Sequence, residues 1–285
     1  GHAAACAAAT DALLRALLGD AAGARERAGH ALSLIDPLES RSVLVLAHRA
    51  LGTAAAAEGD HETAYAHFRA AFDEDGRPVH YHLSPPALPD LASAATHRGA
   101  PEEAARAVDE AERALGDAGP LAPRRSALVQ LSRALLAAPD AAEAHFGRAL
   151  AAPALARRPW EQARTLLAYG EWLRRRRRIA RARPVLAEAE SLFRRLGARP
   201  WERRARAELR AAGAATEPPP PDALAGLTPQ QQQIVRLAAT GLTNREVAEK
   251  LYLSPRTVGS HLYRAFPKLG ITARSQLRDV VTDAG

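Results

Sequence analysis

Toward the C-terminal end, apolar side chains fall at helical spacing in three groups. Ile234, Val235, Leu237 and Ala238 come first, then Val247, Ala248 and Leu251, then Val258, Leu262, Phe266 and Leu269, with Leu227, Leu242, Leu253 and Ile271 between or beside them. The pattern predicts three short helices sharing one small core, with the polar face of the third left outside. Upstream the same period is written mostly in alanine. Gly19-Asp20, Gly59-Asp60 and Gly99 recur at intervals of 40, and each precedes an alanine-rich segment: Ala24 to Leu34, Glu62 to Phe72, Glu102 to Leu115. Near Pro139-Asp140 a fourth begins, where Ala144-His145-Phe146 echoes Ala66-His67-Phe68. Arg158-Pro159-Trp160-Glu161 and Arg199-Pro200-Trp201-Glu202 open first helices of the last units. Two helices per unit of about 40 residues predict an α-solenoid, in which each unit buries its face against its neighbours.

Capping residues sharpen the C-terminal prediction. Thr228 precedes Pro229 and stands three residues before Gln231, and Thr243 stands three before Glu246, so both pairs can cap reciprocally. Ser254-Pro255 opens the third helix, Gly241 stops the first, and only a short turn separates second from third. That spacing is the pattern of a helix-turn-helix, and it predicts duplex DNA as a partner. The third helix would present Arg256, Thr257, Gly259, Ser260, Tyr263 and Arg264 outward. We assign base reading to Ser260, Tyr263 and Arg264, and backbone contacts to Thr243, Asn244, Arg256, Thr257, His261 and Lys268; the competing reading of each is a solvated helix residue.

Residues 224–285 resemble the C-terminal domain of LuxR-type transcription regulators. The shared motifs are Leu227-Thr228-Pro229, Thr243-Asn244-Arg245-Glu246-Val247-Ala248, Ser254-Pro255-Arg256-Thr257-Val258, His261 and Lys268-Leu269-Gly270. The resemblance implies a four-helix domain whose third helix reads DNA and whose fourth, about Ala273 to Asp283, makes a dimer contact. Leu277, Val280 and Val281 are the candidates for that contact, or else close the domain's own core. Two positions depart from the pattern. Gly259 stands where relatives of the family often carry a long basic side chain, and Pro267 should end or bend the recognition helix, which puts the role of Lys268 in question. Upstream, Ala64 and Ala71 around Phe68, and Leu167, Tyr169 and Gly170, resemble tetratricopeptide repeats. Together the two parts resemble the C-terminal half of large ATP-binding LuxR-family regulators, in which an ATPase module precedes helical repeats.

Composition sets outer limits. A chain of 285 residues with 47% hydrophobic and 25% charged residues suits a soluble protein of two domains, and alanine abundance with 5% aromatics favours close-packed helices. No apolar run reaches the roughly 20 residues of a membrane span and no signal peptide opens the chain, so no membrane role and a cytoplasmic location are expected. Methionine is absent even at position 1, which reads as a start inside a longer protein or after a removed tag. Of the net charge of +7, residues 222–285 hold eight basic against five acidic residues, a denser positive charge than upstream and the kind of field a DNA module needs.

No catalytic constellation and no cofactor site is legible. Neither Lys250 nor Lys268 sits in a glycine-rich phosphate loop, Cys6 is alone, and His80-Tyr81-His82 reads as loose surface histidines beside Ser84-Pro85-Pro86. The five arginines from Arg174 to Arg178 could meet phosphate, but solvation at a helix end explains them more simply. Pro218 to Pro221 mark a stiff spacer. The expected architecture is all-α: a tetratricopeptide-like α-solenoid over 1–215, a proline-rich linker at 216–223, and a four-helix LuxR-type domain over 224–285. The expected function is a non-enzymatic transcription regulator that binds promoter DNA as a homodimer, its repeats receiving a peptide, protein or small-molecule effector. In the alternative, the repeats are a binding scaffold and the terminal domain mainly mediates assembly.

Overall fold

Alanine spacing decides how the first helices pack. Helices α1 (His2–Leu18), α2 (Ala21–Ser33) and α3 (Arg41–Glu58) meet along seams built of Ala5, Ala9, Ala12 and Ala16, of Ala24, Ala28 and Ala31, and of Val43, Ala47, Ala50 and Ala54. All of these are fully buried, and their separations of three and four residues put each set on one helix face. Methyl-sized side chains let the helix backbones approach closely. The computed structural model describes residues 1–36, 39–116, 119–213, 227–251 and 253–269, together with Arg274 and Leu277. The chain divides into two compact units, Gly1–Ala215 and Thr216–Gly285.

The first unit continues with α4 (His61–Arg69), α5 (Leu88–His97), α6 (Glu102–Arg113), α7 (Ala122–Leu136), α8 (Ala142–Leu150), the short α9 (Pro153–Ala156), α10 (Pro159–Arg175), α11 (Ile179–Leu196) and α12 (Arg199–Ala211). Neighbours in sequence pack as hairpins, and first helices also touch across units, α1 on α3, α5 on α7 and α10 on α12. Second helices start at Ala21, His61, Glu102 and Ala142, so the interval of about 40 residues read from sequence is the repeat of the architecture. Its punctuation is physical. Gly19 and Gly59 take left-handed φ values of 97° and 82°, and the following aspartates cap the next helix, Asp20 accepting from the Gly23 N–H at 2.9 Å and Asp60 from the Thr63 N–H at 3.0 Å.

Two hairpins close on a missing side chain. A Cβ at Gly52 would stand 2.8 Å from Phe68, and one at Gly170 would stand 2.5 Å from the fully buried Leu186. From α4 onward the core takes in larger groups, with Phe68, Leu88, Leu91, Phe146, Leu173, Leu186 and Phe193 fully buried and Trp160 edge-on to Trp201 at 5.0 Å. The arginine run at the end of α10 is largely spent inside the unit. Arg174 pairs with Glu208, Arg176 with Asp140 at 2.7 Å and Arg178 with Glu143, each partner lying more than thirty positions away in sequence. His80 is held in its own turn, its Nδ1 accepting from the backbone N–H groups of His82 and Leu83. The proline-rich linker lies outside the described residues.

Candidate nucleic-acid interface

The second unit is built on two capping boxes. Ahead of α13 (Pro229–Ala239), Thr228 Oγ1 accepts from the Gln231 N–H at 3.3 Å while the Gln231 side chain accepts from the Thr228 N–H at 3.0 Å. Ahead of α14 (Asn244–Leu251), Thr243 Oγ1 accepts from the Glu246 N–H at 3.3 Å, and Glu246 accepts from the Thr243 N–H at 2.6 Å and from its hydroxyl at 2.8 Å. Those two bonds hold the Glu246 carboxyl below its ordinary pKa. Gly241, at φ 92°, turns the chain between the two helices. Before α15 (Pro255–Leu269), Ser254 Oγ accepts from the Thr257 N–H at 3.0 Å. Each start satisfies backbone donors that would otherwise point at nothing.

One face of α15 is interior and one is open. Val258, Leu262 and Ala265 are buried with Ile234 and Val235 of α13 and Val247 and Ala248 of α14, and Phe266 and Leu269 pack partly against the same cluster. On the other side Arg256, Ser260, Tyr263 and Arg264 are exposed, at intervals that place them along one stripe. Tyr263 is 81% exposed, far more than a large aromatic ring needs to be in a finished surface. His261 and Thr257 flank the stripe half-buried, and the Thr257 hydroxyl is hydrogen-bonded to Ser254 at 2.8 Å. Thr243 is exposed at the start of α14.

The geometry bears on three of the expectations. Pro267 does not end the recognition helix, because α15 runs on to Leu269. The proline's cost, about 3 kcal/mol in a helix interior, is of the same size as the burial of Phe266 and Leu269 that a helical last turn secures. Asn244 is half-buried and its side-chain oxygen accepts from Arg274 Nη1 at 2.5 Å, while Arg274 Nη2 donates to the Leu242 carbonyl. Its acceptor oxygen therefore serves the unit itself. Leu277 is fully buried in the unit's own core, the second of the two roles weighed for it. Val280 and Val281 lie outside the described residues, as do the side chain of Lys268 and the fourth helix apart from Arg274 and Leu277. Arg274 had no assigned role in the sequence; its partners lie thirty and more positions away, and no local signal announces them.

Residues 225–281 match the luxR family of bacterial regulatory proteins. The spore germination protein GerE of Bacillus subtilis is 36% identical over 50 residues, which cover 68% of that protein and 18% of this chain. The chain belongs to the LuxR family. The family match falls in the C-terminal unit. A putative HTH-type transcriptional regulator of Mycobacterium bovis is 44% identical over 59 residues, 21% of this chain but 7% of that protein. The DNA-binding transcriptional activator DevR/DosR of Mycobacterium tuberculosis is 36% identical over 62 residues, 22% of this chain and 29% of that protein. The chain thus spans only a small part of the length of the Mycobacterium relatives it matches. No solved structure matches it. Among the described residues no helix is long and apolar enough to cross a membrane.

Proposed function

We propose that this chain is the repeat-and-DNA-binding part of a cytoplasmic LuxR-type regulator, which binds promoter DNA as a homodimer through α15 and takes an effector or protein partner on its helical hairpins. The observation that carries this is the one-sided helix: Val258, Leu262 and Ala265 fix α15 in the core while Arg256, Ser260, Tyr263 and Arg264 stand out from it. A helix held so presents side chains of length and polarity suited to a major groove. Ser260, Tyr263 and Arg264 are the base readers in this reading, with Arg256, Thr257, Thr243, His261, Lys268 and the amide NH2 of Asn244 on phosphates, the Asn244 oxygen being held by Arg274. Two copies are needed because one recognition helix covers a half-site. The hairpins, repeating every 40 residues or so, act as a tetratricopeptide-like solenoid.

Duplexes selected from a random pool would give the preferred site. Arg264→Ala should then weaken binding to that site more than to random duplex, by about 1–3 kcal/mol for a lost bidentate base contact. Equal loss on both duplexes in gel-shift titrations would remove Arg264 from base reading, and affinity insensitive to salt would remove the DNA role altogether.

A further inference from the structure

We infer that the helical unit binds a small organic anion with an apolar body in the cavity between α5, α7, α8, α10 and α12. The cavity measures about 570 Å³, inside the range of sites that enclose small organic ligands. Its floor is apolar and aromatic, with Leu131, Leu135, Phe146, Leu167, Trp172 and Trp201. The same lining holds four arginines, Arg164, Arg175, Arg176 and Arg204, against one carboxylate, Glu171. A flat apolar body suits the first set and a negative group the second.

The arginines are not equally committed. Arg204 clasps Glu171 through two hydrogen bonds at 2.6 and 2.9 Å, which neutralises the only acid in the wall, and Arg164 pairs with Asp90 at 2.7 Å. Arg175 stands 3.8 Å from Glu171, beyond hydrogen-bond range, and Arg176 holds Asp140, whose side chain is 90% exposed. These two exposed guanidiniums, adjacent at the end of α10, keep donors for an incoming carboxylate, sulfonate or phosphate. Trp172, only 8% exposed, adds an aromatic face to the wall. A cation would meet four arginines, and a purely apolar molecule would leave Arg175 and Arg176 unanswered.

The inference rests on the effector role of the hairpins only for its regulatory meaning; binding is tested without DNA. The probe is 8-anilinonaphthalene-1-sulfonate, compared with N-phenyl-1-naphthylamine, which has the same rings and no sulfonate. Calorimetry and fluorescence titration on the full chain should show one sulfonate probe per molecule, bound about tenfold or more tighter than the neutral one. The double variant Arg175→Gln, Arg176→Gln alters only exposed side chains and should cost the sulfonate probe about tenfold while moving the neutral probe less than about twofold. Ala168→Phe, which fills the cavity wall, should abolish binding of both with the helical circular dichroism retained. Equal affinity for the two probes, an unchanged affinity in the double variant, or several probes per chain would overturn the inference. Gel shifts on the same samples report DNA binding independently, so either reading can fail while the other stands.

Discussion

Replacing Gly259 by lysine tests the outward face of α15 most directly. The position lies inside a helix of 15 residues, where glycine costs about 1 kcal/mol relative to alanine because it surrenders the most backbone freedom. A Cβ built there meets only Asn244 Nδ2, at 3.5 Å, an ordinary contact that requires nothing to move. Lysine is nearly as good a helix former as alanine, so local stability should rise by about 0.5–1 kcal/mol. Amide hydrogen exchange along α15 in the full chain should then slow by about two- to fivefold. The new ammonium also adds one phosphate contact, which steepens the fall of log affinity with log salt by about 0.9. Fluorescence anisotropy with a labelled duplex across a salt series reads that slope. Faster exchange would refute the open surroundings of Gly259, and an unchanged slope would refute its place beside the DNA.

Other outcomes follow from contacts inside the two units. Gly170→Ala forces a methyl onto Leu186 and should destabilise by about 1–2 kcal/mol net, overpacking outweighing the helix gain, whereas Gly29→Ala, with nothing within 4 Å, should stabilise by about 0.5–1 kcal/mol; urea midpoints of opposite shift are the check. His48 and His67 touch through their Nδ1 atoms at 3.1 Å, burial lowers the pKa of both, and for His48 the neighbouring His67 lowers it further. Both are therefore neutral in the fold above pH 6.5, and as pH falls below that value the unfolded chain takes up protons that the fold resists, so stability drops through the depressed pKa values. Urea titrations from neutral to mildly acidic pH should show that loss, and His48→Gln should shrink it; an identical pH slope in the variant would sink the assignment. Arg274→Ala frees the Leu242 carbonyl and Asn244 together and should cost about 1–3 kcal/mol locally, read as faster exchange at the start of α14.

What the sequence disclosed was what neighbours in sequence decide. Thr228 with Gln231, Thr243 with Glu246, and Ser254 with Thr257 act within one turn, and all three starts form as their residues propose. Gly19 and Gly59 were equally legible, since a left-handed stop followed by an aspartate cap is a local signal. Pro267 announced an end or a bend, and α15 does not end there because the proline's penalty is local while the burial of Phe266 and Leu269 that opposes it is tertiary. The arginine run looked free for the same reason: Glu208, Asp140 and Glu143 reach it only once the hairpins stack. The cavity beneath Arg175 and Arg176 draws walls from five helices, α8 among them through Phe146, and the spacing along no single one of them predicts it.

The alanine seams of α1, α2 and α3 give the repeats an uneven grip along their length. A methyl group hides little apolar surface, so contacts there hold through closeness alone, while past α7 the tryptophans and phenylalanines bury several times more per residue. In a stacked array each hairpin is held chiefly by its immediate neighbours. A single enlarged side chain in the alanine seams would therefore part helices whose hold depends on close approach, where the aromatic half has area to spare.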